Sequence, residues 1–164
     1  MCDDLPLLER KKLLDSVVNE SECLTQIRWM KGKGIELFSL CQDNGLEGIV
    51  LKKASSKYQI DYRSPAWIKV INYQYEDIFV IGYRKKEFGW ILGKIIDGKM
   101  KIVGVTEFVP HEARKEFNQT IDGLVLNETE NVVYLNPTVR CTVKYRNYTK
   151  AGMLRMPVFV NFID

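Results

Sequence analysis

Phe88-Gly89-Trp90-Ile91-Leu92-Gly93-Lys94-Ile95-Ile96-Asp97-Gly98-Lys99-Met100-Lys101-Ile102-Val103-Gly104-Val105-Thr106 is the stretch that decides how this chain folds. Two apolar runs rich in β-branched residues flank Asp97-Gly98, a dipeptide suited to the positive φ angles of a two-residue hairpin turn. The pattern predicts strands over residues 88–96 and 99–107. Similar short runs outward from this hairpin predict strands over 77–84, 131–135, 138–147 and 154–161, and Pro110-His111-Glu112-Ala113-Arg114 opens a helix over about 110–119.

Many short strands with one helix suggest a small closed barrel, and the five-stranded oligonucleotide-binding (OB) barrel is the leading candidate. Upstream of residue 72 the pattern differs. Leu7, Leu8, Leu13, Leu14, Val17 and Val18 recur near the helical period, so residues 6–19 read as an amphipathic helix with Pro6 in its first turn and Asp3 or Asp4 as caps. Residues 33–43 read as a second helix, stopped by Asn44-Gly45. Strands follow over 46–53 and 67–71, joined by a polar loop. The expectation is an α+β chain with a boundary near residues 72–76.

Hydrophobic residues form 46% of the 164 residues and charged residues 27%, the balance of a globular protein rather than a disordered one. No apolar run reaches the length of a membrane span, and residues 1–20 carry charges throughout instead of a signal-peptide stretch, which predicts an intracellular, cytoplasmic protein. The net charge of +3 is mild, but residues 138–157 hold Arg140, Lys144, Arg146, Lys150 and Arg155 and no acid. In residues 139–146 strand alternation puts Val139, Cys141, Val143 and Tyr145 on one face and Arg140, Thr142, Lys144 and Arg146 on the other. That second face is either a stripe that follows a phosphate backbone or an ordinary solvated surface.

Cys2, Cys23, Cys41 and Cys141 are scattered without a C-x-x-C pair, so they read as apolar or surface fillers rather than zinc ligands. The single histidine, His111, falls in a helix start and reads as a solvated first-turn residue rather than the base of a triad.

Four motifs in order then resemble one family. Glu47-Gly48-Ile49-Val50-Leu51-Lys52 resembles an E-G-[IV]-V-x-K strand. Tyr58, Arg63, Ser64 and Trp67-Ile68-Lys69-Val70 resemble a Y-x-x-x-x-R-S…W-x-K-V stretch. Gly82-Tyr83-Arg84 through Phe88-Gly89-Trp90-Ile91-Leu92-Gly93 resembles the opening hairpin of a ligase barrel, and Leu154-Arg155-Met156-Pro157-Val158-Phe159 resembles a terminal R-x-P-x-F. Together they resemble the C-terminal part of a bacterial-type ATP-dependent DNA ligase. The resemblance implies a partial nucleotidyltransferase (adenylation) subdomain over 1–72 and an OB-fold DNA-binding domain over 73–164.

It further implies ATP and Mg²⁺ as cofactors and nicked duplex DNA as partner, in repair, replication or recombination. Glu47 would hold the divalent metal. Lys52 and Lys69 would contact the nucleotide, and Arg155 would meet the pyrophosphate. Arg140, Lys144 and Arg146 would contact DNA. The family's nucleophilic lysine lies in K-x-D-G, and no lysine here is followed two positions later by Asp-Gly: the Asp97-Gly98 and Asp122-Gly123 pairs follow Ile95-Ile96 and Thr120-Ile121. The second lysine common in the W-x-K-x-K stretch is Ile71. The expectation is a truncated or split ligase-like chain that does not self-adenylylate alone and that works with a complementing N-terminal chain. The alternatives are a non-catalytic DNA-binding module and an unrelated binding domain sharing the barrel.

Overall fold

The computed structural model describes residues 2–163, which form two compact units divided between Asn72 and Tyr73. In the first unit, helix α1 (Leu7–Val17) and helix α2 (Gly34–Asp43) accompany a hairpin of β1 (Gly48–Lys52) and β2 (Trp67–Ile71). Pro6 stands at the N-cap rather than inside the first turn, and no side chain caps α1. Asp3 and Asp4 are displaced from that role by backbone. The amides of Leu7 and Leu8 donate to the carbonyls of Ser56 (2.9 Å) and Ala54 (3.3 Å), which satisfies two of the helix's orphan donors. Helix α2 stops at Asn44, and Gly45 takes the left-handed turn (φ +61°) that a Cβ would strain.

β1 and β2 are antiparallel, with Val50 opposite Lys69 and Lys52 opposite Trp67. Asn72, 5% exposed, ties the open end together. Its amide donates to the Glu47 carbonyl (2.9 Å) and its side-chain Nδ2 to the Leu46 carbonyl (3.1 Å). Gly48 cannot be replaced cheaply, because a Cβ there would collide with the Val70 carbonyl oxygen at a φ of +144°. Among the described residues of this unit Cys41 is the buried apolar one, and α1 buries none.

The second unit holds the main core. Its strands are β3 (Gln74–Arg84), β4 (Trp90–Ile96), β5 (Lys99–Thr106), β6 (Val125–Glu128), β7 (Val132–Leu135), β8 (Arg140–Tyr145) and β9 (Val158–Ile163), with helix α3 (His111–Thr120) after β5. β3 is long enough to serve two neighbours on one side: Ile78 pairs with Cys141 of β8, and Gly82 pairs with Tyr134 of β7. β4 and β5 continue the sheet on its other side. The path β5-β4-β3-β8-β9 then returns on itself. Phe108, just past β5, forms a parallel bridge with Val158, the Phe159 amide donates to Phe108 (3.1 Å), and the Leu154 amide donates to Val103 (2.6 Å).

Trp90 sits at the centre of the core with ring centroids 4.4 Å from Phe117, 5.5 Å from Phe159 and 5.8 Å from Phe162. Phe117 comes from α3, so that helix closes one end of the sheet with its Ala113 and Phe117 face. The Asp97-Gly98 turn has both φ angles positive, +55° and +73°, as the hairpin requires. β3 begins at Gln74 rather than Asp77, β9 runs to Ile163 rather than residue 161, and β6 carries no sequence signal of its own.

Candidate functional site

The residues expected to meet a nucleotide gather on the β1–β2 hairpin. Alternation and register put Val50, Lys52, Trp67 and Lys69 on one face. The Lys52 Nζ lies 3.8 Å from the centroid of the Trp67 ring, a cation–π contact that holds the amine above the hairpin. Desolvation lowers the Lys52 pKa from its ordinary value, and the charges of Lys11 and Arg10 lower it further. Three cations thus converge where the motif lysine stands. Glu47 is exposed at the mouth of the hairpin, directly before β1.

The hairpin also borders an apolar groove of about 1230 Å³ within the first unit, walled by α1, α2 and residues 27–32 and lined on the hairpin side by Ile49, Val50, Leu51, Lys52 and Ile68. Trp29 and Met30 line it while remaining exposed.

No group of three or more His, Cys, Asp or Glu side chains among the described residues is arranged to hold a metal ion. Mg²⁺ commonly takes one or two protein carboxylates and completes its shell with water and substrate phosphates, so a single carboxylate such as that of Glu47 fits that ion only alongside a bound nucleotide.

Arg155 belongs to the second unit, where its backbone meets another expected site residue. The Arg146 amide donates to the Arg155 carbonyl at 3.1 Å, and the Arg155 amide donates to Asn147 at 2.9 Å. β8 ends at Tyr145, so Arg146 stands at the base of the loop 146–155 rather than on the regular strand face. Lys150 occupies the same loop. Tyr148 anchors it. Its hydroxyl donates to the Glu76 carboxylate, which also pairs with Lys94, and Tyr148 bridges to Leu154. Burial would raise the Glu76 pKa, but the hydrogen bonds from Lys94 and Tyr148 and the Lys94 charge outweigh it and hold the carboxyl below its usual range. Burial, then the hydrogen bond to Glu76 and its charge, push the Tyr148 phenol up to about 12, so it remains a donor near neutrality.

On β8, Cys141, Val143 and Tyr145 are buried, while Arg140 is exposed and Thr142 and Lys144 are half-buried. Read within residues 138–157 the cationic face has no acid, but the fold supplies one. Asp77 of β3 lies opposite Thr142, between the rungs of Arg140 and Lys144, and accepts the Thr142 hydroxyl at 2.8 Å. Sequence reasoning missed Asp77 because it lies 65 positions from Thr142 and is brought there by strand pairing alone.

All four cysteines are free, with Cys2 and Cys23 exposed and Cys41 and Cys141 buried. His111 is exposed in the first turn of α3. Among the described residues no helix is long and apolar enough to cross a membrane.

With this geometry in place, residues 3–70 match the sequence profile described as an ATP dependent DNA ligase domain. The chain is 40% identical over 154 residues to the SPbeta prophage-derived DNA ligase-like protein LigB of Bacillus subtilis strain 168, a match covering 94% of this chain and 55% of that protein. In fold it is similar to the structure of a Lig E DNA ligase (TM-score 0.61, 15% identity, 98% of this chain and 60% of that one). It is likewise similar to the ligase domain of LigD from M. tuberculosis (TM-score 0.52, 20% identity, 96% of this chain and 56% of that one). The chain therefore spans little more than half the length of these relatives.

Proposed function

We propose that this chain is an ATP-dependent DNA ligase-like protein that supplies nucleotide-phosphate and DNA contacts for DNA strand joining, with the adenylate-carrying lysine contributed from outside these 164 residues. The observation that carries this reading is the common face of Lys52 and Lys69 on the β1–β2 hairpin, with Glu47 at its mouth. Strand joining is a sequence of phosphoryl transfers, in which positioning and charge stabilisation supply most of the catalysis.

Lys52 and Lys69 are placed to share the negative charge of a nucleotide's phosphates. The contact with Trp67 limits the wandering of the Lys52 amine. Glu47 is the residue to hold Mg²⁺, which when bound would neutralise charge on phosphate oxygens. Ile71 brings no further charge to this face. Arg155 would meet the pyrophosphate, held on a loop that Tyr148 pins to Glu76.

The second unit, in this reading, is an OB-type barrel that holds nicked duplex DNA, with Arg140, Lys144 and Arg146 as its phosphate contacts. The returning path of β5-β4-β3-β8-β9 supports the barrel.

No lysine of the chain stands in K-x-D-G, so none is set up to attack the α-phosphate of ATP. The test incubates the chain with ATP labelled at the α-phosphate and Mg²⁺, alone and with a polypeptide that carries a K-x-D-G motif. The expected result is no covalent AMP on this chain in either case, with sealing of nicked DNA only in the mixture. A covalent AMP adduct on this chain overturns the proposal. Salt-dependent DNA binding with no sealing in the mixture would favour the second reading, a non-catalytic DNA-binding module, for which the cationic face of β8 is the specific observation.

A further inference from the structure

We propose that the outer face of β3 and β8 is a binding surface for unpaired, single-stranded DNA, with Tyr75 and Phe79 stacking on bases beside the phosphate contacts of Arg140 and Lys144. This rests on the reading of the second unit as DNA-binding and adds a substrate form to it.

The pairing register makes the surface. Phe79 lies directly opposite Arg140, and Tyr75 directly opposite Lys144, so two successive aromatic–cation rungs flank the Asp77–Thr142 rung. Arg140 and Lys144 are four strand positions apart, about 13 Å along β8. The Arg140 guanidinium stands 5.8 Å from the Phe79 ring centroid, and the Lys144 amine 5.3 Å from that of Tyr73. Tyr75 is 63% exposed, an unusual position for a large aromatic ring on a sheet face.

Beyond the aromatics, the same face turns apolar. Phe79 pairs with Gly93 of β4, which pairs with Ile102 of β5, and Ile95 lies two positions along from Gly93. Ile95 is 56% exposed and Ile102 46%. Cations on β8, rings on β3 and aliphatics on β4 and β5 thus succeed one another across neighbouring strands about 4.8 Å apart.

That lateral order fits a single strand laid along β8. Its phosphates meet Arg140 and Lys144, and its bases fall over the rings and aliphatic side chains. Non-specific single-strand binders combine a backbone-tracking cationic track with aromatic stacking in this way. A duplex keeps its base faces stacked on one another, so it would use the cations and leave Tyr75 idle.

Fluorescence anisotropy of the full chain with labelled oligo-dT of about 15 nucleotides, and with a duplex of equal length, tests this. The intact chain should bind oligo-dT. Tyr75→Ala should weaken that binding by about 5- to 150-fold, the range for losing one stacked base, while duplex affinity stays the same. Tyr75→Phe should restore it, because the ring and not the hydroxyl stacks. An intact chain that fails to bind oligo-dT, or a Tyr75→Ala variant that changes both ligands alike or neither, overturns the proposal. Paired Arg140→Ala and Lys144→Ala changes keep the two levels apart. If they weaken duplex binding while Tyr75→Ala is silent, the single-strand inference falls and the DNA-binding reading stands. If they too are silent, the DNA interface falls with it.

Discussion

The Thr142 hydroxyl donates to Asp77 Oδ1 at 2.8 Å across the β3–β8 ladder, which fixes a carboxylate midway between Arg140 and Lys144. A negative charge in the middle of a cationic track opposes the phosphates that the track would attract. Asp77→Asn preserves an oxygen to accept the Thr142 hydroxyl while removing the charge. DNA affinity should rise several-fold at low salt, by roughly the 1 kcal/mol or less that an exposed charge contributes, and the gain should shrink at high salt as screening takes over. Binding isotherms at two salt concentrations check it. An affinity that falls would show that Asp77 itself contacts the ligand.

The two cations carry a complementary expectation. Each phosphate neutralised on duplex DNA steepens the salt dependence of log K by about 0.9, so replacing both Arg140 and Lys144 with alanine should flatten the slope by roughly 1.8. Affinity measured from low to high salt gives that slope directly. A slope equal to that of the intact chain would leave these side chains as a solvated face.

These relationships mark the limit of what a linear reading provides. Alternation alone placed Cys141, Val143 and Tyr145 inward, and Asp97-Gly98 placed the β4–β5 turn, because both signals are local. Lys52 and Lys69 were legible as candidates through their motifs, whereas their common face depends on the β1–β2 register. Asp77, Tyr75 and Glu76 gave no such signal. Their meaning comes from β8, β4 and the loop 146–155, all distant in sequence. Arg146 lost its place on the stripe for a related reason: β8 ends one residue earlier, where the chain turns to pair with Arg155. Asp3 and Asp4 gave way as caps because the Ser56 and Ala54 carbonyls reach the α1 amides first.

Lys52 offers a chemical test that needs no DNA. Its amine is destabilised as a cation by burial and by Lys11 and Arg10, so a larger share is neutral and nucleophilic at mildly alkaline pH. Brief acetylation near pH 8, read by mass spectrometry, should label Lys52 ahead of Lys150, which is exposed. ATP with Mg²⁺ should protect Lys52 if phosphates occupy the β1–β2 face. Equal labelling with and without nucleotide would remove Lys52 from the proposed contacts.

The two units should differ in resistance to opening. Among the described residues of the first unit the fully buried apolar side chain is Cys41, and β1 and β2 pair only with each other, which makes a hairpin marginal by itself. The second unit packs Trp90, Phe117 and Phe159 inside a seven-stranded sheet. Hydrogen exchange should therefore show β1–β2 amides exchanging orders of magnitude faster than those of β3 and β4. Equal protection in a dilute monomer would mean that the first unit is held by more than its own core.

The network that pins the cationic loop should make stability depend on pH. Glu76 has its carboxyl held below the ordinary value of 4.5, chiefly against desolvation, by Lys94 and Tyr148. A carboxyl with a depressed folded pKa contributes stability that is fully present above its unfolded pKa and is lost as pH falls through the folded value. Tyr148→Phe removes one donor to that charge. It should cost about 1.5 kcal/mol at pH 7, the low end for a hydrogen bond to an ionised group because the site is partly exposed. As the pH falls through the depressed folded pKa of Glu76, which lies below 4.5, the carboxyl protonates, the phenol loses its charged acceptor and the cost should shrink. Chemical denaturation of both proteins between pH 7 and pH 3.5 measures the difference. A cost that stays constant across that range would mean that Tyr148 stabilises the loop by packing, not by its bond to the Glu76 carboxylate.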